Sequence, residues 1–181
     1  MQTLSPLALL LKNYQTSYPE ESAFLERFSE LLKHPRVFHR DHLPGHITGS
    51  AWTVNVHHNK VLLVHHAKLK KWLQPGGHAD GNEDILQVAL RELEEETGLQ
   101  SVKLILPGIF DLDIHPIPVR KDFPDHFHYD VRFLFEADEQ EPIMVSEESL
   151  DVRWVPLYEL HSLTDNISIH RMAEKITGMV N

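Results

Sequence analysis

Glu92, Glu95 and Glu96 stand at i, i+3 and i+4 in the run Arg91-Glu92-Leu93-Glu94-Glu95-Glu96. On a helix that spacing sets three carboxylates on one face, where they can converge. Like charges so placed destabilise a helix by about 0.2–0.5 kcal/mol per pair. They also fall just before Gly98, at the helix end whose dipole prefers cations. Stability alone does not select this pattern. A hard divalent cation would relieve it, because such ions take carboxylate oxygens and water. A solvated acidic face is the alternative use of the same residues.

The segment leading into them decides between the two. Gly76 to Leu99 reads GGHADGNEDILQVALRELEEETGL, a glycine-rich turn running into a helix expected over about 83–97. Asn82 is the expected N-cap and Gly98 the expected stop. Ile85, Leu86, Ala89, Leu90 and Leu93 give that helix an apolar stripe beside its acidic face. From Gly77, five residues lead to Glu83, seven more to Arg91-Glu92-Leu93, one to Glu95-Glu96 and one to Gly98-Leu99. This spacing resembles the signature of the Nudix hydrolases at each fixed position. A looser resemblance, in strand placement and in the loop before Trp154, extends over roughly residues 45–160.

The resemblance implies an α/β fold, a Nudix-type α/β/α sandwich with a mixed β-sheet, occupying residues 45–181 after an N-terminal helical extension at 1–44. It implies hydrolysis of a nucleoside diphosphate linked to another group, with water attacking phosphorus. It further implies Mg²⁺ (or Mn²⁺) held by Glu92, Glu95 and Glu96, with Glu92 or Glu96 taking the proton from water. Arg91 is expected to orient the carboxylates, and the Gly77 carbonyl to add a metal ligand. A further ligand is expected from the loop before Trp154, with Glu148 preferred to Glu147. A nucleotide-binding or regulatory module without catalysis is the alternative, and it would be expected to lose these carboxylates. An isomerase of the isopentenyl diphosphate type relies on cysteine, and this chain has none.

Composition bounds the partners. The 181 residues carry a formal net charge of −10, which argues against non-specific nucleic-acid binding and leaves a small phosphorylated molecule open. The absence of cysteine excludes a disulfide framework, a thiolate nucleophile and a cysteine zinc site. The short apolar run near the start lacks a basic leader, and no stretch reaches membrane-spanning length, so a cytoplasmic protein is the default expectation.

Further along the chain, residues 4–33 predict two helices broken at Ser17–Glu20, either packed on the domain or serving as a homodimer contact or lid. Thr48–Val56 and Lys60–His66 predict a hairpin. Val102–Phe110 predicts a strand, followed by a proline-restricted loop; the 108–130 loop and residues 1–50 are where substrate selectivity is expected. His126–Glu136 alternates as a strand whose polar face carries His126, His128, Asp130 and Arg132. That face is read as solvent-facing or as a substrate row, with Arg132 offering a bidentate grip on phosphate. His126 and His128 suggest a transition-metal site with nothing in sequence to complete it. Trp72 offers stacking for a base, and Lys68, Lys70 and Lys71 a positive approach for an anion. Helices are expected from Pro156 and over 167–178.

Overall fold

The computed structural model describes residues 5–119 and 123–180. The first four residues of the expected N-terminal segment, residues 120–122 of the expected loop and residue 181 lie outside them. The elements are α1 (Pro6–Asn13), α2 (Pro19–Leu31), β1 (Gly45–Asn55), β2 (Lys60–His66), β3 (Lys71–Leu73), β4 (Gly76–His78), α3 (Ile85–Thr97), β5 (Val102–Leu104), β6 (Asp111–Ile117), β7 (His126–Ala137), β8 (Ser149–Pro156), α4 (Leu160–Leu163) and α5 (Ile167–Val180). A 3₁₀ turn, Leu157–Glu159, precedes α4.

Strand order is β3-β2-β1-β7-β5, with β4 also paired to β1, β6 to β7 and β8 to β2. Contacts advance together along β1 and β7: the Phe127 N–H donates to Pro44 O at 2.9 Å, and the Thr48 hydroxyl to Asp130 at 2.9 Å. These two strands are therefore parallel, whereas the pairings β1–β2, β1–β4, β2–β3, β2–β8, β5–β7 and β6–β7 are antiparallel. A mixed sheet with helices is the α/β architecture expected.

Contacts group the chain into two compact units. The first takes the described residues of Met1–Ser50, Gly76–Ala89 and Pro107–Phe133. Here Ser5 caps α1 through its hydroxyl, and Pro6 and Pro19 open α1 and α2 where a missing N–H costs nothing. Leu7, Leu11, Phe28 and Leu31 are buried, so both helices are packed elements. Glu21 fastens them: its carboxylate accepts from the Tyr14 hydroxyl at 2.6 Å, from the Thr16 hydroxyl, and from the Leu112 N–H of β6 at 3.0 Å. Burial, and then the hydrogen bond to Glu21, push the Tyr14 phenol far above its ordinary pKa.

The second unit takes Ala51–Pro75, Leu90–Leu106 and the described residues of Leu134–Asn181. Val61 to Val64 of β2 are buried between the neighbouring strands β3 and β8. Leu160, Ile169, Met172 and Ile176 line the inner faces of α4 and α5. α3 ends at Gly98, whose φ of +74° is the left-handed turn that glycine adopts without strain.

Three expectations are corrected. α3 starts two residues late: Val88 and Gln87 donate to the Asp84 carbonyl (3.1 Å) and carboxylate (3.2 Å), so Asp84 is the cap and Asn82 instead holds the Asp84 N–H at 3.0 Å. The expected strand at 102–110 shrinks to the three residues of β5, while Asp111–Ile117, read as loop, forms β6. Pro116 misled that reading. Among the described residues β6 pairs with β7 alone, and an edge strand tolerates a residue without an N–H. Among the described residues, no helix is long and apolar enough to cross a membrane.

Candidate functional site

α3 carries Arg91, Glu92, Glu95 and Glu96 in its last turns, where Leu93 is buried beneath them. The Arg91 guanidinium donates to Glu92 at 2.6 Å, and its Nε lies 3.9 Å from Glu95. Arg91 thus hydrogen-bonds one of the three carboxylates and forms a longer ion pair with a second. Glu92 is the least exposed of that pair, at 17% against 63% for Glu95. Burial pushes the Glu92 carboxyl above its ordinary range; Arg91 opposes this, and Glu95 and Glu148 reinforce it. A carboxyl so shifted is closer to the proton affinity that a base needs near neutrality.

Glu148 therefore lies within electrostatic reach of Glu92. Its carbonyl accepts from the Ala67 N–H at 2.9 Å, which fixes the backbone while its side chain stays exposed. Glu147 is exposed as well. The donor set is all oxygen and the carboxylates oppose one another's ionisation. That chemistry suits a hard cation of the Mg²⁺ and Mn²⁺ class.

Gly76 and Gly77, read as a loop, form the start of β4, where Gly77 faces Gly49 and Gly76 faces Ser50 on β1. A Cβ on Gly76 would lie 2.2 Å from the Ser50 hydroxyl and 2.9 Å from the Gly49 carbonyl, so this close approach admits only glycine.

The polar face of β7 is the largest departure from expectation. It is neither solvated nor open. Arg132 is 2% exposed; its Nε meets Asp130 at 2.8 Å, Nη1 meets Asp111 at 3.1 Å and Nη2 meets Asp113 at 3.1 Å. Burial works against its charge, but Asp113, Asp130 and Asp111 outweigh that and keep it protonated. Asp130 also accepts from the hydroxyls of Thr48 (2.9 Å) and Ser50 (2.7 Å) on β1. The guanidinium expected to grip phosphate is committed to three carboxylates, and Asp130 is committed with it. Register explains the network: Asp111 lies opposite Arg132, and Asp113 opposite Asp130.

Two residues further along the same faces, the layer becomes histidine. His128 lies opposite His115 on β6, and its ring stands 4.9 Å from that of His46 on β1 and 5.0 Å from that of His78 on β4. Burial lowers the proton affinity of all three, to about 4 for His46 and His78 and further for His128, so the rings are neutral near pH 7. His46, His78 and His115 were not singled out from sequence. Fourteen histidines are many for this length, but only the pairing of β1, β4, β6 and β7 brings these together.

Trp72 on β3 stacks on its cross-strand partner His65 at 4.9 Å and carries the Arg153 guanidinium 4.2 Å from its ring centroid. The protein itself therefore occupies this ring, which was expected to stack on a base. Lys68, Lys70 and Lys71 are exposed around the β2–β3 turn.

Comparison with known proteins bears on this arrangement. The NUDIX domain matches residues 46–175. A probable DHNTP pyrophosphohydrolase of Lactococcus lactis is 35% identical over 85 residues, 46% of this chain and 50% of that protein. An asymmetrical bis(5'-nucleosyl)-tetraphosphatase of Rattus norvegicus is 32% identical over 96 residues, 53% of this chain and 59% of that protein. The chain thus spans about half the length of the curated relatives it matches. A NUDIX-family hydrolase structure from Clostridium perfringens superposes with a TM-score of 0.56 at 26% identity, covering 74% of this chain and 97% of that one.

Proposed function

The chain belongs to the Nudix family of hydrolases, and from that premise we propose that it cleaves the diphosphate linkage of a nucleoside diphosphate-linked small molecule, with Mg²⁺ or Mn²⁺ and with water attacking phosphorus. The observation that carries the reading is the carboxylate group on α3. Glu92 is shifted upward by burial and by Glu95 and Glu148, and Arg91 bridges Glu92 and Glu95.

In this reading Glu92, Glu95, Glu96 and Glu148 hold the cation. The bound cation supplies charge neutralisation at the phosphate and acidifies water. Glu92 or Glu96 accepts the proton of the attacking water. Arg91 holds the Glu92 carboxylate by its 2.6 Å hydrogen bond, so that carboxylate is placed before substrate arrives. The named activities of the relatives, a DHNTP pyrophosphohydrolase and a bis(5'-nucleosyl)-tetraphosphatase, support phosphoric anhydrides as the class of bond.

The test is product release from a panel of nucleotide sugars, ADP-ribose, dinucleoside polyphosphates and nucleoside triphosphates. Wild type is compared with Glu95→Gln and Glu96→Gln in Mg²⁺ and in Mn²⁺. Cation-dependent turnover that falls by 100-fold or more in the variants supports the proposal, as an order-of-magnitude expectation for loss of a proton acceptor or charge clamp. Tight binding of one compound without turnover would replace it with a nucleotide-binding module.

A further inference from the structure

We propose that His46, His78 and His128 form a second metal site, for a borderline transition-metal dication of the zinc class, chemically separate from the carboxylates on α3. One nitrogen from each ring can be chosen so that all three lie within 4.8 Å of one another. Tetrahedral Zn–N bonds of about 2.0–2.1 Å place neighbouring nitrogens roughly 3.3 Å apart, so rotamer adjustments of about 1 Å close the site.

Three observations beyond proximity point to a ligand. First, Nε2 of His46 and Nε2 of His128 are both buried without a hydrogen-bond partner. Buried polar atoms are ordinarily satisfied, and two orphaned ring nitrogens on the neighbouring strands β1 and β7 have a Lewis acid as their natural partner.

Second, one ring of the trio has its other nitrogen held as that of a metal ligand is. His46 Nδ1 faces the His42 carbonyl at 3.4 Å, which leaves Nε2 as the lone-pair nitrogen. Around the trio, His126 Nδ1 donates to the Pro124 carbonyl at 2.9 Å, and His115 Nδ1 faces Asp113 at 2.9 Å. Either flanking ring, or water, can complete a fourth position.

Third, the donor chemistry differs from that of the carboxylates on α3. An all-imidazole set selects zinc, copper, nickel or cobalt over Mg²⁺.

The experiment uses the full chain, stripped with chelator and then titrated with Co²⁺ in excess Mg²⁺, which occupies oxygen sites. The expected result is one equivalent of Co²⁺ giving the intense visible bands of low-coordinate nitrogen ligation. Those bands should weaken, with at least tenfold poorer binding, in His46→Ala, His78→Asn and His128→Ala. They should persist in Glu95→Gln and Glu96→Gln. X-ray absorption of the Zn²⁺-loaded wild type counts imidazoles directly, so the test does not depend on the variants folding. Three imidazole ligands support the site. A spectrum of all-oxygen ligation, or bands lost in the glutamate variants and kept in the histidine variants, overturns it. These readouts need no turnover and are independent of the proposed hydrolysis.

Discussion

Replacing Arg132 with methionine separates two roles for a deeply buried charge. The change keeps most of the apolar stem and removes the guanidinium. Arg132 is 2% exposed, and its partners Asp111, Asp130 and Asp113 are 0%, 3% and 15% exposed. The variant removes the guanidinium that these three carboxylates share. Removing one partner of a buried ion pair costs about 3–5 kcal/mol, because the remaining charge stays desolvated. For a chain of this length each kcal/mol moves the melting temperature by about 2–4 °C, so Arg132→Met should melt roughly 6–20 °C lower. Adding Asp111→Asn should restore part of the loss, since it removes one stranded charge. Thermal unfolding followed by circular dichroism measures both, and KM for whichever compound is hydrolysed is measured beside it. A variant melting within about 2 °C of wild type while KM rises tenfold would refute the structural role and return Arg132 to the phosphate grip read from sequence.

Other consequences follow from the same geometry. Glu21→Ala removes the acceptor shared by the Tyr14 and Thr16 hydroxyls and the Leu112 N–H, and should cost about 2–3 kcal/mol, seen as a lower urea midpoint. Gly76→Ala should cost about 1–3 kcal/mol by driving a methyl into Ser50 and Gly49, with Ser50→Gly recovering part of it in a double-mutant cycle. Burial lowers the proton affinity of His46, His78 and His128, so below about pH 6.5 the unfolded chain binds more protons than the folded one. Stability is therefore full above that pH and falls as pH drops, by about 2–4 kcal/mol at pH 5.5 for the three rings in chelator, and urea unfolding at pH 7.5 and 5.5 should show it. Glu95→Gln removes a like charge at i+3 from Glu92 and should leave melting unchanged or raised by 1–2 °C, about 0.2–0.5 kcal/mol, even where it abolishes turnover.

What the sequence disclosed depended on whether the evidence was local. Glu92, Glu95 and Glu96 share one helix face because helix period is a property of neighbouring residues, and Gly98 stops α3 for the same reason. The alternation of β7 was equally plain, and it separated His126, His128, Asp130 and Arg132 from the apolar face correctly. Alternation names a face without naming what covers it. Solvent or substrate were the natural choices for four polar residues in a row. The structure flanks them with β6, whose Pro116 had disguised it as a loop and whose Asp111 and Asp113 meet Arg132, and with the Thr48 and Ser50 hydroxyls of β1. One misread strand thus turned a buried ion network into an apparent binding row. The same pairing explains why the histidines escaped notice. His46, His78 and His128 stand far apart in the chain, and each is unremarkable on its own strand. Their chemistry exists only in the register that sets Thr48 against His78 and His115 against His128. A metal site built across strands has no sequence spacing to betray it, whereas one built along a helix does, and this chain carries a candidate of each kind.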